Sequence, residues 1–319
     1  MPYLITGSAG FIGFHTAKSL LDKGETVVGI DNLNDYYSPK LKLARNAILL
    51  QSKNYSFNEL NICDHDKLKK LHDRYKFQKI IHLAAQAGIR YSLEAPFSYA
   101  ESNLQGFLSI LELARYGKIE QLIYASSSSV YGANAKLPFS VSDPVSTPIS
   151  FYGATKIANE AMAYSYHHLF HIPMIGLRFF TVYGPWGRPD MAYYKFATAI
   201  HQEKPIDVYN EGKMNRSFTY ITDVVDGILA CTQLKREFEI LNIGNNESVP
   251  LLSFIQCLEK NLGKKAKLQF LPAQPGDMQS TAADIAYTTK LLGYKPKISI
   301  EKGLSEFVSW FMEYFKASK

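Results

Sequence analysis

Two short stretches of the chain hold groups able to move protons. SFYGATK (150–156) places Tyr152 and Lys156 four residues apart, a spacing that puts both side chains on one face of a helix. A free phenol has a pKa near 10, too high for a base at neutral pH. A cation about 4 Å away is worth roughly 4 kcal/mol at an effective dielectric near 20, enough to lower that pKa by about three. The same Tyr/Lys spacing occurs at Tyr36/Lys40, Tyr75/Lys79 and Tyr209/Lys213. Only Tyr152/Lys156 opens a predicted helix just after a serine-ended strand. That strand is the second stretch, YASSSSVYG (124–132). An apolar run breaks there into Ser126, Ser127, Ser128 and Ser129, whose hydroxyls need partners if they are buried.

A third stretch binds rather than reacts. Gly7-Ser8-Ala9-Gly10-Phe11-Ile12-Gly13 reads GxxGxxG between a predicted strand and a predicted helix. Gly7 and Gly10 permit a tight turn and close approach of backbone to a pyrophosphate, and Gly13 lets helix and strand pack closely. Phe11 and Ile12 begin the helix, whose free N–H groups and positive dipole end suit phosphates. Asp31, followed by Asn32, ends the second strand 18 residues past Gly13. It is placed to accept hydrogen bonds from ribose hydroxyls. A 2′-phosphate there would be repelled, so the expected cofactor is NAD rather than NADP. Asn61 and Ile62 end the third strand, where an adenine edge would lie. Leu83, Ala84, Ala85 and Gln86 end the fourth. Small residues there either admit the diphosphate-ribose half of the cofactor or simply let a helix pack on the sheet. With an oxidised nicotinamide adding positive charge, Tyr152 is expected to titrate near neutrality and act as a base, while Lys156 also holds the nicotinamide ribose.

These residues need a frame. Strands are expected at 3–6, 25–30, 55–62, 79–85, 121–126 and 173–179, alternating with helices at about 11–23, 64–75, 97–116 and 152–170. Alternation of this kind implies a parallel sheet covered on both faces, a doubly wound Rossmann-type α/β fold. Residues 1–180 are read as the dinucleotide-binding domain, with a return segment at about 221–245. Residues 181–319 are read as a smaller, mixed α/β substrate domain, with helices near 191–202, 221–234, 251–262 and 299–315. Its loops are expected to lie over the carboxyl ends of the strands.

Composition narrows the classes. The 319 residues are 46% hydrophobic and 20% charged, with a net charge of +6, ordinary for a globular chain. The basic residues are scattered, without helix-turn-helix or zinc-finger spacing, so no nucleic-acid partner is expected. Cys63, Cys231 and Cys257 form no CxxC pair, which argues against a metal or disulfide framework. A strand begins almost at residue 2, and no apolar run reaches membrane-spanning length. A cytoplasmic protein without a membrane partner is the expectation.

Together, GxxGxxG with Asp31, the serines before VYG, and Tyr152/Lys156 resemble the extended short-chain dehydrogenase/reductase family that acts on nucleotide sugars. In that family the catalytic hydroxyl stands about 25 positions before the tyrosine, which is Ser127 here. DNLNDYY (31–37), HLAAQAGIRYS (82–92), LRFFTVYGPWGRPDM (177–191) and PIDVYNEGKMNRSFTYITDV (205–224) look like its UDP-glucuronate 4-epimerase branch. That branch often has Thr where Ser127 stands and Asp where Asn61 stands. Ser127 keeps the hydroxyl and Asn61 keeps an acceptor oxygen.

The resemblance implies reversible, NAD-dependent C4 epimerisation of UDP-glucuronate to UDP-galacturonate. Dehydratases of this fold carry an acid beside the catalytic hydroxyl, and UDP-glucuronate decarboxylases commonly carry one just before VYG. Ser128 and Ser129 fill those places here. Ser127, Ser128 and Thr181 are expected to donate hydrogen bonds to the sugar carboxylate and to keep its C–C bond out of line with the 4-keto π system, so that CO₂ is retained. The resemblance assigns Arg188 to the substrate. Arg216 is a candidate for the UDP phosphates, Arg90 for the substrate face, and Asp277 for the uridine half or a loop cap. The helices at 97–116 and 152–170 are expected to pair with a second copy as a four-helix bundle. Competing readings are a UDP-glucose/galactose-type epimerase, a UDP-glucuronate decarboxylase, and a non-catalytic NAD sensor.

Overall fold

Successive residues of the central strands are buried on opposite faces, which is why those strands read as unbroken apolar runs. The computed structural model describes residues 2–134, 136–272 and 280–317. Its first six strands are β1 (Tyr3–Thr6), β2 (Val27–Asp31), β3 (Tyr55–Glu59), β4 (Lys79–His82), β5 (Gln121–Ser127) and β6 (Met174–Phe179). Ile5, Val27, Ile81, Ile123 and Ile175 join one apolar cluster. Leu4, Val28, Ile80, Leu122 and Met174 join another on the opposite face. Each such side chain, fully buried, is worth about 1.5–3 kcal/mol.

The helices between the strands are α1 (Phe11–Asp22), α2 (Pro39–Leu49), α3 (His65–Tyr75), α4 (Tyr91–Glu94), α5 (Pro96–Tyr99), α6 (Gly106–Tyr116) and α7 (Phe151–Phe170). α2 was not expected. A π-helical turn, Ala100–Gln105, joins α5 to α6, so the long helix expected over 97–116 is interrupted. β3 and β4 stop three residues short of the expected ends, because residues 60–62 and 83–85 turn toward the ligand edge of the sheet.

Beyond β6 come β7 (Thr181–Tyr183), α8 (Ala192–His201), β8 (Pro205–Tyr209), β9 (Asn215–Arg216), β10 (Phe218–Tyr220), α9 (Ile221–Cys231) and β11 (Phe238–Ile243). β12 (Val249–Pro250), α10 (Leu251–Leu262), β13 (Lys267–Leu271), α11 (Ala286–Leu292) and α12 (Ile300–Ala317) complete the described chain. β11 returns to the large sheet beside β6, giving seven parallel strands in the order β11-β6-β5-β4-β1-β2-β3. β8 pairs with β13, β7 with β10 and β9 with β12 in three small sheets beyond the strand ends. The direction of winding reverses between β1 and β4, and the crevice outside a parallel sheet at such a point is where ligands bind.

Candidate active site

That crevice opens into a cavity of about 900 Å³. Every expected site residue among those described lines it; Asp277 lies outside the described residues.

One side of the cavity is made of backbone. The Gly7 N–H donates to the Ile30 carbonyl at 2.8 Å, and Gly7 has φ +71°. A Cβ on Gly7 would sit 2.8 Å from the Ala84 nitrogen, and one on Gly13 would sit 2.1 Å from the Gly7 carbonyl oxygen. No side chain caps α1 at Gly10, so its first N–H groups are left to the cavity, with Phe11 and Ile12 beside them. These are the requirements of a dinucleotide pyrophosphate, and the residues present fit one.

Asp31 is buried at the end of β2 and accepts the Leu33 N–H at 2.9 Å. Burial pushes its carboxyl pKa up, while Lys42 and the neighbouring N–H groups pull it down. Lys42 itself donates to the Asn34 carbonyl (2.9 Å) and side-chain oxygen (2.6 Å). Asn32, Asn61 and Ile62 lie along the same wall. Asn61 spends part of its acceptor capacity locally, since its side-chain oxygen takes the Cys63 N–H at 3.0 Å. The backbone of Gln86 is fixed from both sides by Asn103, at 2.8 and 3.0 Å. Asn103 belongs to the π-helical turn, a type of irregularity frequent at functional sites. It also reaches the Thr155 hydroxyl at 3.0 Å, and Asn159 donates to its carbonyl at 2.7 Å.

At the centre stand Ser127, Tyr152 and Lys156. Ser150 caps α7 by accepting the Gly153 N–H at 3.0 Å, which sets Tyr152 in the first turn and Lys156 one turn on. Ser127 ends β5 and accepts the Ser129 N–H at 3.1 Å. Its hydroxyl lies near enough to the Tyr152 phenol to favour the ionised form. Burial pushes the phenol pKa up, opposed by that hydroxyl and by the Arg188 charge. The Lys156 ammonium donates to the Ala125 carbonyl at 2.7 Å. Burial lowers Lys156 to about 8, with the Glu160 carboxylate opposing the fall.

The four serines divide their work. Ser127 donates to the Ser129 hydroxyl at 3.2 Å, and Ser128 lines the cavity. Ser126 serves the framework, donating to Glu160 at 2.5 Å. Arg178 grips the same carboxylate at 2.9 and 2.8 Å and donates to the Tyr131 hydroxyl at 3.1 Å. Tyr131 in turn donates to Asn242 at 2.6 Å. This buried network spans β5, α7, β6 and β11. Neither Glu160 nor Arg178 was anticipated from the sequence. Their only signals were their places one turn past Lys156 and at the end of β6.

The far side of the cavity carries charge. Arg188 donates to Asp190 at 3.0 and 2.5 Å, and the Tyr36 hydroxyl donates to the same carboxylate at 3.2 Å. Burial disfavours the Arg188 cation, but Asp190 more than offsets this and holds it firmly charged. Arg90 stacks over the Tyr209 ring at 5.1 Å, and Arg216 donates to the Asn215 carbonyl at 3.2 Å. Thr181 begins β7 beside them. Tyr36, Tyr91, Tyr99 and Tyr152 form a chain of ring contacts with centroids 4.7, 6.3 and 6.0 Å apart. Among the described residues no group of three His, Cys, Asp or Glu side chains is placed to hold a metal ion. No described helix is long and apolar enough to cross a membrane.

The NAD dependent epimerase/dehydratase family matches residues 3–244. An uncharacterized protein of Methanocaldococcus jannaschii is 56% identical, over 97% of this chain and 96% of its own. A probable UDP-glucuronate 4-epimerase of Rhizobium meliloti is 44% identical, over 99% of this chain and 98% of its own. The crystal structure of a Bacillus cereus UDP-glucuronic acid 4-epimerase in complex with UDP-glucuronic acid and NAD matches with a TM-score of 0.93, at 36% identity, covering 98% of this chain and 100% of that one.

Proposed function

The chain belongs to the NAD-dependent epimerase/dehydratase family, and from that premise we propose that it interconverts UDP-glucuronate and UDP-galacturonate by NAD-dependent epimerisation at C4. It is an isomerase that oxidises C4 to a ketone, turns the sugar, and reduces the opposite face. NAD, when bound, supplies a hydride acceptor and donor for C4 and a positive charge beside the phenol.

The chain's own residues do the rest. The glycine turn, Asp31 with Asn32, and the 61–62 and 83–86 edges hold the dinucleotide. The Tyr152 phenolic oxygen takes the proton from the sugar's O4 and returns it after the turn. Ser127 holds that phenol and the sugar hydroxyl in one hydrogen-bonded line. Lys156, anchored on Ala125, keeps a cation under the nicotinamide ribose. Ser128 and Thr181 donate to the sugar carboxylate. Neutral donors can be exchanged as the sugar turns, where a bidentate arginine clamp would resist. Arg188, Arg216 and Arg90 take the sugar-nucleotide end. The dinucleotide half comprises residues 1–180 together with 221–245, and the sugar-nucleotide half is the remainder.

One observation carries the reading. Tyr152 and Ser127 face each other at the reacting end of the cavity, and positions 128, 129 and 181 beside them hold hydroxyls instead of carboxylates. No acid stands there to drive dehydration or decarboxylation. The test is incubation with UDP-glucuronate without recycling of NADH, followed by separation of products. UDP-galacturonate is expected; a UDP-pentose with CO₂ as the main product would overturn the assignment.

Assembly and setting follow the same reading. Phe97 is 88% exposed, and Leu108, Tyr164, Leu169 and Phe170 are also exposed on the α5–α6 and α7 segments. An apolar surface of this kind marks an interface, and a homodimer through a four-helix bundle covers it. Gel filtration at twice the chain mass is the expected result. The free thiols Cys63, Cys231 and Cys257 suit the reducing cytoplasm, where the product serves polysaccharide biosynthesis.

A further inference from the structure

Arg45 takes no part in the chemistry above, yet it is fully buried, at 0% exposure. It lies on α2, between the two halves of the cavity wall. Its guanidinium donates to the Ala9 carbonyl in the glycine turn at 2.9 Å and to the Tyr37 hydroxyl at 2.8 Å. It also donates to the Trp186 carbonyl at 3.0 and 2.5 Å and to the Gly187 carbonyl at 3.2 Å. Among the described residues no carboxylate forms an ion pair with it. A guanidinium buried against carbonyls and one phenol hydroxyl, with no bonded carboxylate, is costly to desolvate, so its acceptors must be arranged for it.

Those acceptors belong to two segments far apart in sequence. Ala9 sits inside the dinucleotide turn. Trp186 and Gly187 immediately precede Arg188. A second tie runs in parallel: His15 on α1 bonds the Pro185 carbonyl at 2.9 Å. Burial lowers His15 to about 4, so its ring is neutral at physiological pH and the Nε2–H is the donor. Three consecutive carbonyls of the 185–187 loop are thus held by α1 and α2. Trp186 has φ +61°, a left-handed conformation that a bulky residue keeps only when its surroundings impose it.

We infer that Arg45 is a positioning residue that locks the loop bearing Arg188 to the glycine turn, so that the dinucleotide and the sugar nucleotide bind cooperatively. The inference rests on reading the glycine turn as the NAD site and Arg188 as a sugar-nucleotide contact. Coupling of this kind is reciprocal, so it can be read from either ligand.

Holoenzyme carrying Arg45→Lys tests it by two readouts. The first is the KM for UDP-glucuronate, expected to rise about tenfold, equivalent to about 1.4 kcal/mol, with kcat within about threefold of wild type. The second is the rate of NAD loss on dilution, with and without saturating UDP. UDP is expected to slow that loss about tenfold in wild type and by less than about twofold in the variant. Both must move; if either stays at the wild-type value the inference is overturned, whatever the melting temperature does. Should Arg45→Lys fail to fold, His15→Leu cuts the second tie alone and must move both readouts in the same direction. An enzyme that makes UDP-galacturonate normally but fails these readouts sinks the coupling and leaves the activity standing. UDP retention of NAD reads the coupling even if the sugar assignment fails.

Discussion

The two sides of the cavity are built from different material. The side proposed for the dinucleotide is mostly main chain: a turn with glycine at its close approaches, an uncapped helix start, and the Gln86 backbone fixed by Asn103. The sugar side is charged side chains held by partners distant in sequence, such as Arg188 with Asp190 and Tyr36, or Arg90 over Tyr209. A backbone cradle fits a pyrophosphate and leaves the choice of dinucleotide to Asp31, whereas opposed charges can be matched to one sugar. Between the two lies the Tyr152–Ser127 pair, supported from beneath by a buried ion pair.

Substitutions on each side sharpen that contrast. Tyr152→Phe removes the group proposed to move the proton, and kcat is expected to fall about 10²–10⁴-fold, with NAD still bound to the purified enzyme. Product assays and cofactor release measure the two separately; a fall below tenfold would mean another base.

Glu160→Gln leaves Arg178 buried without its counter-charge, at a cost of about 3–5 kcal/mol of stability. It has a second effect with a definite sign. In the folded protein Lys156 loses its proton at about pH 8, and Glu160 holds that value up. Without the carboxylate, burial lowers it further, so the alkaline fall in kcat should move to lower pH. A pH–rate profile whose alkaline limb stays in place would separate the ion pair from the lysine.

On the dinucleotide side, Gly13→Ala places a Cβ 2.1 Å from the Gly7 carbonyl oxygen. The overpacking should cost about 1–3 kcal/mol and release NAD during purification, read by thermal melting and cofactor analysis. The smallest effect is expected at Thr181→Ala. Loss of one donor, about 1 kcal/mol, should raise the UDP-pentose by-product about fivefold while epimerisation continues. No increase would mean that Thr181 does not restrain the carboxylate.

The same contrast explains what could be read in the sequence. The glycine turn, Asp31 and the strands announce themselves because backbone geometry demands particular residues at fixed spacing. α2 does not. Its buried face is Leu41, Lys42, Arg45, Asn46 and Leu49, a helical spacing in which three of five residues are polar, so no apolar stripe marks it. The anchor of Lys156 is equally hidden: spacing puts it on one face with Tyr152 but does not say that Ala125 will take the ammonium. Tyr36 and Asp190 stand 154 residues apart, and nothing local in either signals the other. β7 and β10, of three residues each, are too short for alternation to show.

The π-helical turn at 100–105 has a consequence for how this chain tolerates change. A turn widened by one residue sets the phase of everything after it. Winding those same residues as a regular α-helix, with none removed, would rotate α6 by about 100° relative to α5. Phe107, Ile110, Leu111 and Ala114, now buried against the sheet, would swing off it, and Asn103 would lose its grip on Gln86. An inserted residue in this stretch, which would turn α6 the same way, should therefore be far more damaging than a substitution or a deletion, although nearly every residue of the turn is itself at least partly exposed.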